Sequence, residues 1–159
     1  MNNKSLQHVW SVLCSNSSVD QQTNNVSLYN VLEQIEVDKE AFDAKIKEPE
    51  KDIVAGITYE IISLFKKSNK DKKIVGEQKI EIIDPEAKIL MDKSHSLEIP
   101  ENSGRVRFRI QFQGLKLTVP GEYIFKVSIK DSETNEFETV AELPLQINSV
   151  KIENKPSPK

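Results

Sequence analysis

Cysteine, histidine, tryptophan and glycine are all scarce in this chain of 159 residues, which has one Cys, two His, one Trp and five Gly. A single cysteine excludes an internal disulfide framework, and one Cys with two His is too few for a zinc site built on those residues. Five glycines leave little material for barrel corners and bulges, which argues against an open barrel. No run of about 18 apolar residues occurs, so a membrane-spanning helix is not expected. A strong charge of either sign is missing too, since 22 basic residues meet 25 acidic ones for a formal net charge of −3. Domains dedicated to nucleic acid are usually strongly basic, so nucleic acid is not the expected partner. Gly-rich phosphate loops, G-x-S-x-G elbows and H-E-x-x-H helices are also absent.

What the chain does have is alternation with period two, the mark of half-buried strands. In Arg105 to Phe112, Val106, Phe108, Ile110 and Phe112 share one face, and Arg105, Arg107, Arg109 and Gln111 the other. Tyr123, Phe125, Val127 and Ile129 repeat the pattern. A last run places Phe137, Thr139, Ala141, Leu143, Leu145 and Ile147 together, with Pro144 opposite. Proline cannot donate to a ladder, so this strand is predicted at an edge or with a bulge. Ile53 to Phe65 and Ile74 to Ile83 alternate across a Lys-rich turn and read as a hairpin. Asp84-Pro85-Glu86-Ala87 reads as a turn, followed by short strands at Lys88 to Met91 and Ser94 to Ile99. Leu6 to Cys14 reads as the first strand, and Val26 to Val37 as strand on its β-branched content. Asp38 is placed to cap a short helix reaching Ile46.

These elements predict an all-β fold, a Greek-key or immunoglobulin-like β-sandwich of eight or nine strands with at most one short helix. It would occupy residues 1–150 as one domain, with residues 151–159 a disordered C-terminal tail. Without an apolar leader run, and with a lone thiol, a cytoplasmic setting is expected.

Three groups of segments carry a resemblance. Val19-Asp20-Gln21-Gln22-Thr23-Asn24-Asn25-Val26-Ser27-Leu28-Tyr29-Asn30-Val31 resembles the opening of an uncharacterised prokaryotic family of small single-domain immunoglobulin-like β-sandwich proteins. Asp84 to Leu90 resembles its middle turn, with Ala87 where glycine is usual. Pro120 to Val127, with Ala141 to Leu145, resembles its closing hairpin. The resemblance implies the fold and supplies no catalytic residue.

Catalytic candidates are few. His8 and Cys14, read as sharing a face of one straight strand, would stand about 20 Å apart, too far for a dyad. Cys14, beside Trp10 and Val12, reads as a buried thiol. Acidic residues near two turns (Asp84, Glu86 and Asp92; Asp131, Glu133 and Glu136) fit no calcium-loop spacing and read as turn residues. No metal or cofactor is expected.

The sharpest feature is the placement of arginine. All three arginines of the chain, Arg105, Arg107 and Arg109, alternate on one strand, while 19 lysines are scattered elsewhere. Alternate strand positions lie about 6.6 Å apart, so the guanidiniums would form a row about 13 Å long. Such a row suits phosphate or an acidic peptide, or else it pairs across strands with acids such as Glu77, Glu81 or Glu122. The turn from Lys66 to Lys73 holds five lysines and one aspartate; Lys66, Lys67 and Lys70 make it a candidate auxiliary patch or simply a solvated tip.

The expected function is therefore a non-catalytic interaction module for a protein partner, with self-association through a sheet face or edge as one form of it. The alternatives are anion recognition through Arg105, Arg107 and Arg109, or an enzyme with a carboxylate site that no motif betrays.

Overall fold

The computed structural model describes residues 4–153. Nine strands form two sheets, with one short helix, so the predicted β-sandwich layout holds. The strands are β1 (Leu6–Val19), β2 (Val26–Val31), β3 (Gln34–Asp38), β4 (Ile53–Lys67), β5 (Ile74–Ile83), β6 (Ile89–Ile99), β7 (Arg105–Leu117), β8 (Gly121–Asp131) and β9 (Glu138–Val150). The helix α1 spans Lys39–Lys47, and Asp38 caps it by accepting from the Glu40 amide at 3.1 Å. One sheet runs β2-β1-β4-β7 and the other β3-β9-β8-β5-β6. Of the tail expected at 151–159, residues 154–159 lie outside those described, and 151–153 carry no regular structure.

The inward faces follow the alternation. Leu13, Tyr59, Ile61, Ile110 and Leu115 pack on Ile80, Ile82, Phe125, Val127 and Leu145, and Phe42 of α1 joins them. A second cluster gathers Leu6, Phe65, Ile74, Leu97, Ile99 and Ile129. A polar seam lies between the two. Along β4, Ser63 stands between Ile61 and Phe65, and along β5, Gln78 precedes Ile80. Gln78 Nε2 donates to Ser63 Oγ at 3.1 Å, Ser63 meets Ser11 Oγ at 2.6 Å, and Ser11 meets His8 Nε2 at 2.8 Å. The chain of bonds crosses the sandwich and ties β5 to β4 and β1. Burial lowers the His8 pKa, against a backbone hydrogen bond at Trp10 that raises it.

Several boundaries differ from the pattern reading, each for a local reason. Val26 to Val37 is not one strand. It breaks at Leu32 and Glu33, whose backbone bonds run to Leu13 and Gln146, so the chain changes sheets there. The two strands read between Lys88 and Ile99 are one, β6, because an edge strand tolerates polar residues on both faces at Asp92 and Lys93. β9 lies inside its sheet, but its parallel neighbour β3 pairs only from Gln146 onward, which leaves Pro144 without a partner on that side. A bulge also interrupts its pairing with β8 where Val127 meets Ala141 and Ser128 meets Thr139. That bulge turns Val140 inward and leaves Thr139 exposed, contrary to the simple alternation. Phe137 precedes β9 and sits under the Lys79 and Lys130 ammonium groups, 4.8 Å from each.

The turn after β5 explains its own residues. Asp84 accepts from the amides of Glu86 at 2.9 Å and Lys88 at 2.8 Å, and from Thr118 Oγ1 at 2.7 Å. Burial pushes its carboxyl up, but these donors outweigh burial and hold it below the usual range. Ala87 adopts φ 65°, a left-handed conformation that costs a residue with a Cβ about 1 kcal/mol. Ala87→Gly is therefore expected to raise stability by about 0.5–1 kcal/mol, read as a higher urea midpoint at unchanged slope. An unchanged or lower midpoint would contradict the strain.

Candidate functional site

The arginine row belongs to β7, one of the two edge strands of the four-stranded sheet. Its registers with β4 set Arg105 beside Lys66, Arg107 beside Leu64, Arg109 beside Ile62 and Gln111 beside Glu60. One strand further, β1 sets Trp10 beside Leu64, Val12 beside Ile62 and Cys14 beside Glu60. All of these residues share the outer face. A bulge at Val9 produces that arrangement: His8 pairs with inward Phe65, whereas Trp10 pairs with outward Leu64. His8 and Cys14 thus lie on opposite faces, not the same one. A strand read as straight hides such a bulge.

The outer face is not flat. β4 separates β1 from β7, yet the far end of the β1–β2 hairpin touches β7. Arg107 donates to Asn24 Oδ1 at 2.7 Å and Arg109 to Ser17 Oγ at 3.4 Å. The hairpin therefore crosses over β4, which accounts for the burial of Glu60 and Ile62, only 1% and 2% exposed on a sheet's outer side.

The three arginines consequently have different surroundings. Arg109 pairs with buried Glu60, Nε to Oε2 3.7 Å, and Gln111 Nε2 donates to the same oxygen at 3.4 Å. Cys14 Sγ lies 3.9 Å from the other carboxylate oxygen and is fully buried. Burial first, and the Glu60 charge second, push the thiol up to about 11, so it is not a nucleophile near neutral pH. Arg107 has an amide partner and, among the described residues, no carboxylate within ion-pair distance. Arg105 has neither among the described residues. Glu77 and Glu81, the pairing partners weighed from sequence, belong to β5 in the other sheet. They pair there with Lys130, Lys79 and Lys126.

The Lys-rich turn meets this strand at Arg105. Lys66 is its cross-strand neighbour, and the Lys70 side chain runs beside Gly104. Lys67 is drawn inward at 5% exposure, its ammonium held by the carbonyls of Lys72 and Pro100, and it is not free for a ligand. Two clefts adjoin at Arg105. One, of about 760 Å³, is lined by Gln7, Lys66, Ser68, Lys70, Gly104 and Arg105, with part of Lys67 at its wall. The other, of about 380 Å³, has Trp10, Leu64 and Val106 with Arg105, Arg107, Asn24 and Asn25. No acidic side chain lines either. Sequence reading found the cations of this site but missed Trp10, Leu64 and Asn24, which only the bulge and the folded-over hairpin bring to it.

The acidic turns serve local structure. Asp131 accepts from Ser5 Oγ at 2.9 Å and from the amides of Glu133 and Thr134, as Asp84 does at its own turn. No group of three or more His, Cys, Asp or Glu side chains placed to share a metal occurs among the described residues. No helix among them is long and apolar enough to cross a membrane.

No protein-family model matches the chain, and no curated protein matches it. Among solved structures 97 chains match, two distantly similar ones among them. A family 123 glycoside hydrolase from Clostridium perfringens, studied for glycolipid glycan hydrolysis, matches with a TM-score of 0.45 and 10% identity. That match covers 72% of this chain and 26% of the hydrolase chain, so this chain spans about a quarter of its length. Northeast Structural Genomics Consortium target SoR45 matches with a TM-score of 0.41 and 8% identity, over 99% of this chain and 98% of that one. At these levels neither similarity carries a functional assignment.

Proposed function

We propose that the chain is a non-catalytic binding module of immunoglobulin-like type, a cytoplasmic prokaryotic protein that recognises an anionic partner beside β7. Two features support the immunoglobulin-like reading. The sheets order as β1-β4-β7 and β3-β9-β8-β5-β6, with β2 as an added hairpin arm. Tyr123, near the start of β8, also bonds back to the chain at Val119, as a tyrosine corner does in such sandwiches.

One observation carries the anionic reading. Arg105, Arg107, Lys66 and Lys70 converge on adjoining clefts with no carboxylate of the described residues within ion-pair distance, although the chain as a whole is negative. Guanidinium and ammonium groups left without a counter-ion in a cleft are donors ready for phosphate or carboxylate. Arg109 is excluded from that role because it neutralises Glu60.

The test uses the Arg105→Ala/Lys66→Ala/Lys70→Ala triple variant, which spares Arg109 and Lys67. Its affinity for tripolyphosphate and for hexaglutamate is expected to fall at least about ten-fold, and wild-type binding to weaken as salt rises. Equal binding by the two proteins on both probes would sink the proposal. Urea unfolding of the variant within about 0.5 kcal/mol of wild type shows that the loss is local, since these three side chains are exposed.

A further inference from the structure

Four strands end the two sheets: β2 and β7 in one, β3 and β6 in the other. β2 and β3 have only 6 and 5 residues, short enough to offer little template to another chain. β6 and β7 are long, at 11 and 13 residues. β7 pairs with β4 on one side, and among the described residues no backbone bond joins its other side to any segment. Alternate amides and carbonyls of that side are therefore left for water or for a partner.

Charge separates the two long edges. β6 mixes Asp92, Lys93 and Glu98, whereas β7 has Arg105, Arg107, Arg109 and Lys116 and no acidic residue. A second copy of this chain adding β7 to β7 would bring no carboxylate to either arginine row, because β7 has no acidic residue. An added strand with acids at alternate positions has the same 6.6 Å side-chain pitch and meets the row in step. Arg105 and Arg107 then gain carboxylate partners, while Arg109 keeps Glu60.

Resting on the anion-binding reading, we propose that the partner is an extended acidic segment of another protein, which adds as a strand to the free edge of β7. Backbone bonds to the edge supply affinity, and alternate glutamate or aspartate side chains on Arg105 and Arg107 supply the choice of sequence. Self-association through this edge leaves both arginine rows without carboxylate partners.

The test uses a capped eight-residue peptide alternating Glu and Thr, a Gln/Thr counterpart, and two N-methylated forms of the first, methylated at every Glu or at every Thr. A strand presents only alternate amides to its neighbour, so one methylated form is expected to lose at least ten-fold in affinity and the other to bind like the parent. The Gln/Thr peptide and the Arg107→Gln variant are each expected to bind at least ten-fold more weakly. Hydrogen exchange at alternate β7 amides is expected to slow when the parent peptide binds.

Parent-like binding by both methylated forms, or binding of tripolyphosphate without binding of the peptide, would overturn strand addition while leaving the anionic reading in place. Binding of neither peptide nor tripolyphosphate would remove both. A β7-mediated dimer of the free protein would overturn the choice of another protein as the partner.

Discussion

Tyr123→Phe is expected to lower the unfolding free energy by about 3 kcal/mol. The Tyr123 ring is fully buried, and its hydroxyl serves the corner between β7 and β8. It accepts from the amides of Thr118 at 2.9 Å and Val119 at 3.2 Å, and donates to the Val119 carbonyl at 2.7 Å. Phenylalanine keeps the ring and removes only the oxygen, so two amides and a carbonyl lose their partner together. A hydrogen-bonding group left buried and unmade costs about 1–3 kcal/mol, and partial access of water to the corner moderates the sum. Urea unfolding followed by circular dichroism measures the loss. A change under about 1 kcal/mol would mean that water replaces the hydroxyl.

Gly76→Ala is expected to cost about as much, roughly 3 kcal/mol at the upper end for overpacking. Gly76 lies in β5 between Leu97 of β6 and Asp131 of β8. A Cβ there would fall 2.5 Å from the Lys130 carbonyl oxygen and 3.3 Å from the Asp131 Cα. Both obstacles are backbone, so no side-chain rotation relieves them, and β5 would have to move away from β8. Gly56 is the natural control, because nothing lies within 4 Å of a Cβ at that position. The urea midpoint of Gly76→Ala is expected to drop well below that of Gly56→Ala; equal midpoints would contradict the close approach.

How far these features could be read in advance depended on whether alternation survived locally. β5 and β8 alternate without interruption through their inward residues. β7 does so as far as Phe112, beyond which Gly114 at φ 75° shifts the inward set to Leu115 and Leu117. Period two placed Ile110, Phe125 and Val127 inside correctly. The second half of β1 gives no such signal. Ser15 to Ser18 is polar throughout because it pairs only with β2 and leaves the sheet to cross over β4. Bulges were equally silent: one extra residue at Val9 or Val140 reverses every later face, and no residue type demands it. At the site, the arginine spacing was legible and the neighbours were not. Nothing in the spacing distinguished Arg109, which neutralises buried Glu60, from Arg105, which meets no acid. That difference arises from the hairpin laid over Glu60, a long-range contact with no local pattern.

The same bulge at Val9 makes the cleft observable by an unaided optical signal. The chain has a single tryptophan, and the reversal of faces at that point sets Trp10 in the cleft with Arg105 and Arg107. Had β1 run straight from His8, the indole would face the interior and its emission would report unfolding alone. Placed where it is, at the margin of water and protein, it shifts in wavelength as solvent leaves the cleft. Occupancy of the site and integrity of the fold thus register on one chromophore, without a label.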